Sequence, residues 1–104
     1  MRVMIKAQID PEVGNEGMID GSLGETVNTI LSDIKPEAAY FTLEDGVRTA
    51  LVVCEMNGSH ELPALVEPWF LSLGAEVTVT PVMNAEDLEA AGPSLASLAE
   101  KYGQ

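Results

Sequence analysis

The sequence predicts an α+β domain built in the order β-α-β-β-α-β, with one further helix at its C-terminal end. Three observations carry this. Strand and helix periods alternate along the chain; Glu44-Asp45-Gly46 is a hairpin signal between two strand-like runs; and Val47 to Met56, VRTALVVCEM, is apolar at nearly every position. A strand apolar on both faces needs cover on both. One layer of helices supplies only one of them, so the second cover has to come from elsewhere.

The first strand runs from Arg2 to Ile9. Val3, Ile5, Ala7 and Ile9 share one face, and Arg2, Met4, Lys6 and Gln8 the other. Asp10-Pro11 ends it, because proline has no N–H for the ladder. Asn15 to Ile34 reads as one helix with a weak beginning, since Gly17, Gly21 and Gly24 fall inside it and each costs about 1 kcal/mol relative to alanine. Ser22 and Glu25 have the spacing of a capping box, so the firm part starts at Leu23. Val27, Ile30, Leu31 and Ile34 form its apolar stripe. The glycines match no phosphate-binding pattern.

Ala38 to Leu43 is the second strand, and Val47 to Met56 the third. Ser59 is the expected N-cap of the next helix, with Pro63 in its first turn and Gly74 just past its end. Leu62, Val66, Trp69 and Leu73 recur at helical spacing, and Pro68 is expected to kink the helix or free a carbonyl. Ala75 to Met83 is the fourth strand, where Pro81 calls for a sheet edge. Asn84 and Asp87 start the last helix as a capping box, and Gly92-Pro93 should divide it in two.

This order is the ferredoxin-like split βαβ plan, in which the third strand is central. Met4, Tyr40, Val52, Cys54 and Val82 are expected on the sheet face that the helices leave open, too much apolar surface to stay wet. Two such faces packed across a two-fold axis would close a barrel between two copies of the chain. The alternative is a monomer whose last helix folds back over that face.

The runs KPEAAYFTLEDGVRTALVV, EPWF and TPVMNAEDL resemble a family of small uncharacterised proteins in the dimeric α+β barrel superfamily. The resemblance spans Asn15 to about Ala91 and implies the dimeric barrel. It carries no catalytic motif. The wider superfamily includes cofactor-independent monooxygenases and muconolactone-type isomerases, haem-degrading enzymes, and stress-response proteins of unknown ligand.

Composition limits what the chain does. The 104 residues suit one domain, residues 1–104. A net charge of −12, from 17 acidic and 5 basic residues, argues against nucleic acid and anionic membranes as partners. Cys54 is the only cysteine, which excludes an intrachain disulfide and suits the cytoplasm; mid-strand, it reads as a small buried hydrophobe. The opening MRVMIKAQID is broken by charges, unlike a signal peptide. No metal site is expected from one histidine and one cysteine, and no cofactor is implied. His60 reads as a surface residue at a helix start.

Lys6, Gln8, Tyr40 and Thr42 share the face opposite Val3, Ile5, Phe41 and Leu43. Glu76, of matching parity, is the expected carboxylate partner of Lys6. Such a group binds a small carboxylate or phenol, transfers protons, or simply forms a structural pair. Trp69 and Phe70 are the aromatic candidates for lining a ligand pocket between helix and sheet, and Trp69 is also a natural core residue at helical spacing. Three functions follow as expectations. The first is a homodimer binding a small, partly apolar ligand. The second is a cofactor-independent monooxygenase or isomerase acting on a small aromatic or lactone. The third is a structural or interaction module that docks through its last helix.

Overall fold

A computed structural model describes residues 1–103. Strand β1 spans Arg2–Gln8, followed by helices α1, Pro11–Asp20, and α2, Leu23–Ile34. Strands β2, Ala38–Glu44, and β3, Val47–Glu55, form a hairpin. A 3₁₀ turn at Ser59–Glu61 runs into α3, Leu62–Leu73, which leads to β4, Glu76–Pro81. Helices α4, Ala85–Ala90, and α5, Gly92–Tyr102, complete the chain. The four strands make one antiparallel sheet in the order β2-β3-β1-β4. With its two crossover connections this is the ferredoxin-like α+β arrangement. Central β3 pairs with β1 and β2, and Pro81 ends an edge strand, where a missing N–H costs no ladder bond.

Register decides which side chains share a face. Val3 lies opposite Cys54, Ile5 opposite Val52 and Ala7 opposite Ala50. All six are buried, together with Ile30 of α2 and Leu65, Trp69 and Leu73 of α3. The core therefore sits between one sheet face and the helices. Val52 and Cys54 belong to this covered face, not to the open one as expected. The open face presents Met4, Ala38, Tyr40, Leu51 and Val53 instead. Burial is the main reason the Cys54 thiol is pushed above its ordinary range, with Glu55 and Glu37 adding to it. A thiol held protonated this way is a poor nucleophile.

The segment read as one helix from Asn15 is two helices, and the first begins earlier, at Pro11. Asp10 does more than end β1: its Oδ2 accepts from the N–H groups of Glu12 and Val13, an N-cap with proline at the first helical position. Gly21 then stops α1 in the left-handed region, at φ 82°. Ser22 makes no side-chain cap. Its N–H donates to Asp20 Oδ1 at 2.8 Å, and hydrogen bonds from Ser22 hold the Asp20 carboxyl below the usual carboxylate range. The capping-box spacing at Ser22 and Glu25 was met in sequence without the geometry.

Other boundaries follow their local chemistry. Asp45 and Gly46 have φ of 54° and 78°, the two positive values of a tight hairpin turn. Ser59 lies inside the 3₁₀ turn instead of capping α3. Helix α3 continues through Pro68 and ends at left-handed Gly74. The carbonyl that Pro68 frees belongs to Ala64, an exposed residue that water can serve. The capping box at α4 is complete: Asn84 Oδ1 accepts from Asp87 N–H at 2.8 Å, and Asp87 Oδ2 from Asn84 N–H at 3.0 Å.

Helices α4 and α5 form an arm. Neither contains a buried residue among those described. The molecule is 58 Å long, whereas its longest strand, at nine residues, spans only about 30 Å. The arm thus projects beyond the sheet and leaves the open face uncovered, which removes the folded-back monomer. No helix among the described residues is long and apolar enough to cross a membrane.

Candidate functional site

The open face is read most simply as rows across the sheet. Ala38, Val53, Met4 and Thr80 form one row. Tyr40, Leu51, Lys6 and Thr78 form the next, and Thr42, Thr49, Gln8 and Glu76 the third. Period-two alternation in β1 and β2 puts these side chains on one side. Five of the six sequence-selected residues (Lys6, Gln8, Tyr40, Thr42 and Glu76) therefore come together on one surface. Trp69 does not join them. It is wholly buried in the core beneath the opposite face, and its Nε1–H has no hydrogen-bond partner among the described residues.

The partner of Lys6 is Glu44 rather than Glu76. Lys6 Nζ donates to Glu44 Oε1 at 3.1 Å. Glu76 stands opposite Gln8, and Thr78 takes the place opposite Lys6. Glu44 lies two strands from β1, and the long lysine stem spans β3 to reach it. Both side chains are partly exposed, so the pair contributes about 0–1 kcal/mol. Gln8 Nε2 points the same way, toward Glu44 O and Asp45 Oδ2 at 3.4 Å each. Thr49, between them, is 2% exposed and donates to Val47 O at 3.1 Å.

Tyr40 differs in kind. It is 65% exposed, on a row that holds both Leu51 and Lys6. An aromatic ring and a hydroxyl thus stand on the β2 edge beside an apolar centre made by Leu51, Val53 and Met4, with Lys6, Thr42 and Gln8 in the neighbouring rows. Such a surface offers apolar contact and a few polar contacts to a small molecule once a second wall is present. Glu44 was missed in sequence because it sits at the end of its strand, next to the turn. Leu51 and Val53 were missed because an all-apolar run gives no alternation to assign faces.

Gln8, Asp10, Asp45, Val47, Gly74 and Glu76 border a concavity of ≈ 290 Å³ at one end of the sheet. Its carboxylates are partly engaged, Asp10 as the α1 cap and Asp45 with Gln8. No group of three or more His, Cys, Asp or Glu among the described residues is placed to hold a metal ion. His60 is an exposed residue of the 3₁₀ turn.

Comparison with known proteins adds little to this geometry. No family model matches the chain. No curated protein matches it either. Among solved structures the chain is similar to a de novo designed protein, Ferredog-Diesel, at 16% identity over 78% of this chain and 85% of that one, with a TM-score of 0.43. The fold assignment rests on the strand order and connections given above.

Proposed function

We propose that the chain works as a homodimer of the dimeric α+β barrel type, sheet face against sheet face. The enclosed space, lined by Tyr40, Lys6, Gln8, Thr42 and Glu76, takes a small, partly apolar ligand. The observation that carries this reading is the uncovered sheet face with Met4, Leu51 and Val53 at its centre and Ala38 and Tyr40 on the β2 edge beside them. Apolar surface that the chain itself cannot cover is a standing drive for association. Cytoplasmic residence belongs to the same proposal and rests on the lone, unpaired Cys54.

Area explains the arm. Four strands spaced about 4.8 Å apart and about 20 Å long give a footprint of about 400 Å². A standard interface takes about 800 Å² from each partner. The exposed Leu88, Leu95, Leu98 and Tyr102 of the arm supply further apolar surface. Ending the chain at Asn84 should therefore weaken dimerisation by tenfold or more while the sheet stays folded. Gel filtration with circular dichroism reads both, and an undiminished dimer would remove the arm from the interface.

The same arm supports a second reading, an interaction module that docks a different protein. An enzymatic role lacks comparable support, because the Lys6 ammonium is engaged with Glu44. Native mass spectrometry of gently purified protein tests the main reading. The expected result is a mass of twice 11.1 kDa plus a retained small molecule, which a Lys6→Met, Tyr40→Ala double variant loses. A ligand-free monomer would contradict it, and co-purification of another protein through the arm would favour the module.

A further inference from the structure

Arg48 breaks the apolar run of β3, and it sits on the covered side of the sheet, opposite Leu43 and beneath α1. Its Nη1–H donates to Asn15 Oδ1 at 3.1 Å. Residue 14 is glycine, and a Cβ there would lie 2.7 Å from Arg48 Nη1, so a larger residue would make the guanidinium shift from this position. Placing glycine inside a helix sacrifices propensity, and here the position admits a cation.

That cation has no carboxylate partner among the described residues, in a chain with 17 acidic and 5 basic side chains. Arg2 and Lys6, by contrast, are both ion-paired. Arg48 lines two concavities, of ≈ 270 Å³ and ≈ 410 Å³, and neither lining includes an acidic residue. The larger is walled by Ile9, Met18, Leu23, Val27 and Phe41, with Asn28 of α2 as an uncharged polar side chain. Met18 and Phe41 are 61% and 58% exposed, so this wall is itself short of cover.

We propose that this groove between α2 and β2 is a binding site for a small amphipathic monocarboxylate, its carboxylate on Arg48 and its apolar tail along Ile9, Leu23, Val27 and Phe41. Charge complementarity selects the anion. A guanidinium presents a planar fork of donors that matches a carboxylate, and Asn15 already fixes its orientation. Only one cation faces the groove, which suits a single negative charge. The volume lies near the lower end of the range for small-ligand pockets, about 300–1,000 Å³, so the tail is a short acyl chain or one aromatic ring. The site is on the opposite side of the sheet from the face proposed to pair, and it does not depend on the dimer.

The test is amide NMR titration of the full chain with octanoate, and separately with 1-octanol, which has the same tail and no charge. Saturable shifts are expected around Met18, Leu23, Val27, Phe41 and Arg48, with octanoate binding at least tenfold tighter than octanol. Arg48→Gln should lose at least tenfold in octanoate affinity, and Arg48→Lys should lose less. Equal affinity for the two probes overturns the assignment, and this comparison holds even if Arg48→Gln fails to fold. Shifts confined to Tyr40, Leu51 and Met4 also overturn it, as does an absence of saturable shifts. Shifts at Met18 and Phe41 that follow protein concentration alone would place a second copy in the groove and equally overturn it.

Discussion

Replacing Trp69 with alanine is expected to cost about 3–5 kcal/mol, the largest loss from truncating any one described side chain to alanine. Trp69 is 0% exposed and is the largest of the fully buried side chains. It projects from α3 into the layer where Ile5, Val3 and Val52 of the sheet meet the helices. Removing the indole leaves a cavity that this small core cannot refill, since the surrounding side chains come from paired strands whose register is fixed. Small domains hold only about 5–15 kcal/mol in total, so the variant would sit close to unfolding at room temperature. Trp69→Phe sharpens the point. It also creates a void, but it removes the Nε1–H that has no partner, a group whose burial carries its own penalty of about 1–3 kcal/mol. The phenylalanine variant should therefore lose well under half of what the alanine variant loses. Urea denaturation followed by far-ultraviolet circular dichroism measures both. A phenylalanine loss equal to the alanine loss would mean that the smaller ring recovers none of the packing that the indole provides.

Leu51→Glu should produce the second large effect, on association and not on folding. Leu51 sits at the middle of the open face, between Tyr40 and Lys6, and is only partly buried within its own chain. A carboxylate there stays hydrated in the monomer, so its folding stability should change by no more than about 0.5 kcal/mol. In a two-fold dimer the substitution appears twice, and each added carboxylate, with the neighbouring Lys6 already held by Glu44, would be taken out of water beside Val53 and Tyr40. We expect dissociation to strengthen by at least about a hundredfold in Kd, equivalent to about 3 kcal/mol. Thr78→Glu on the edge strand, an exposed position of the same row, serves as the control and should act far more weakly.

The parts of the fold that were legible in sequence are those decided by local chemistry. The alternation from Arg2 to Ile9 marked β1, which ends one residue earlier at Gln8, Asp45-Gly46 marked the hairpin, Pro81 an edge, and Asn84 with Asp87 the start of α4. What stayed hidden depends on partners far along the chain. Gly21 can be a helix interior or a left-handed stop, and only the packing of α1 beside α2 selects the stop. Ser22 has the right spacing to cap, but its N–H is taken by Asp20. Val52 and Cys54 lie in a run with no alternation, so their side was set by pairing with Ile5 and Val3.

The candidate site shows the same division. Parity correctly gathered Lys6, Gln8, Tyr40, Thr42 and Glu76 on one face, because parity is a property of each strand alone. It could not choose between Glu44 and Glu76 for Lys6, since that depends on strand order and on reach across β3. Arg48 did leave a signal. A single arginine inside VRTALVVCEM is costly unless something engages it, and it marks the place where the covered face meets a charge.

Sedimentation equilibrium of the wild-type chain beside Leu51→Glu, over a wide range of concentrations, tests most directly whether the open sheet face is an interface. The expected result is a wild-type mass of twice 11.1 kDa that falls to a single chain in the variant, with both chains equally folded. A wild-type chain that remains at 11.1 kDa throughout, or a variant that stays dimeric, would contradict it.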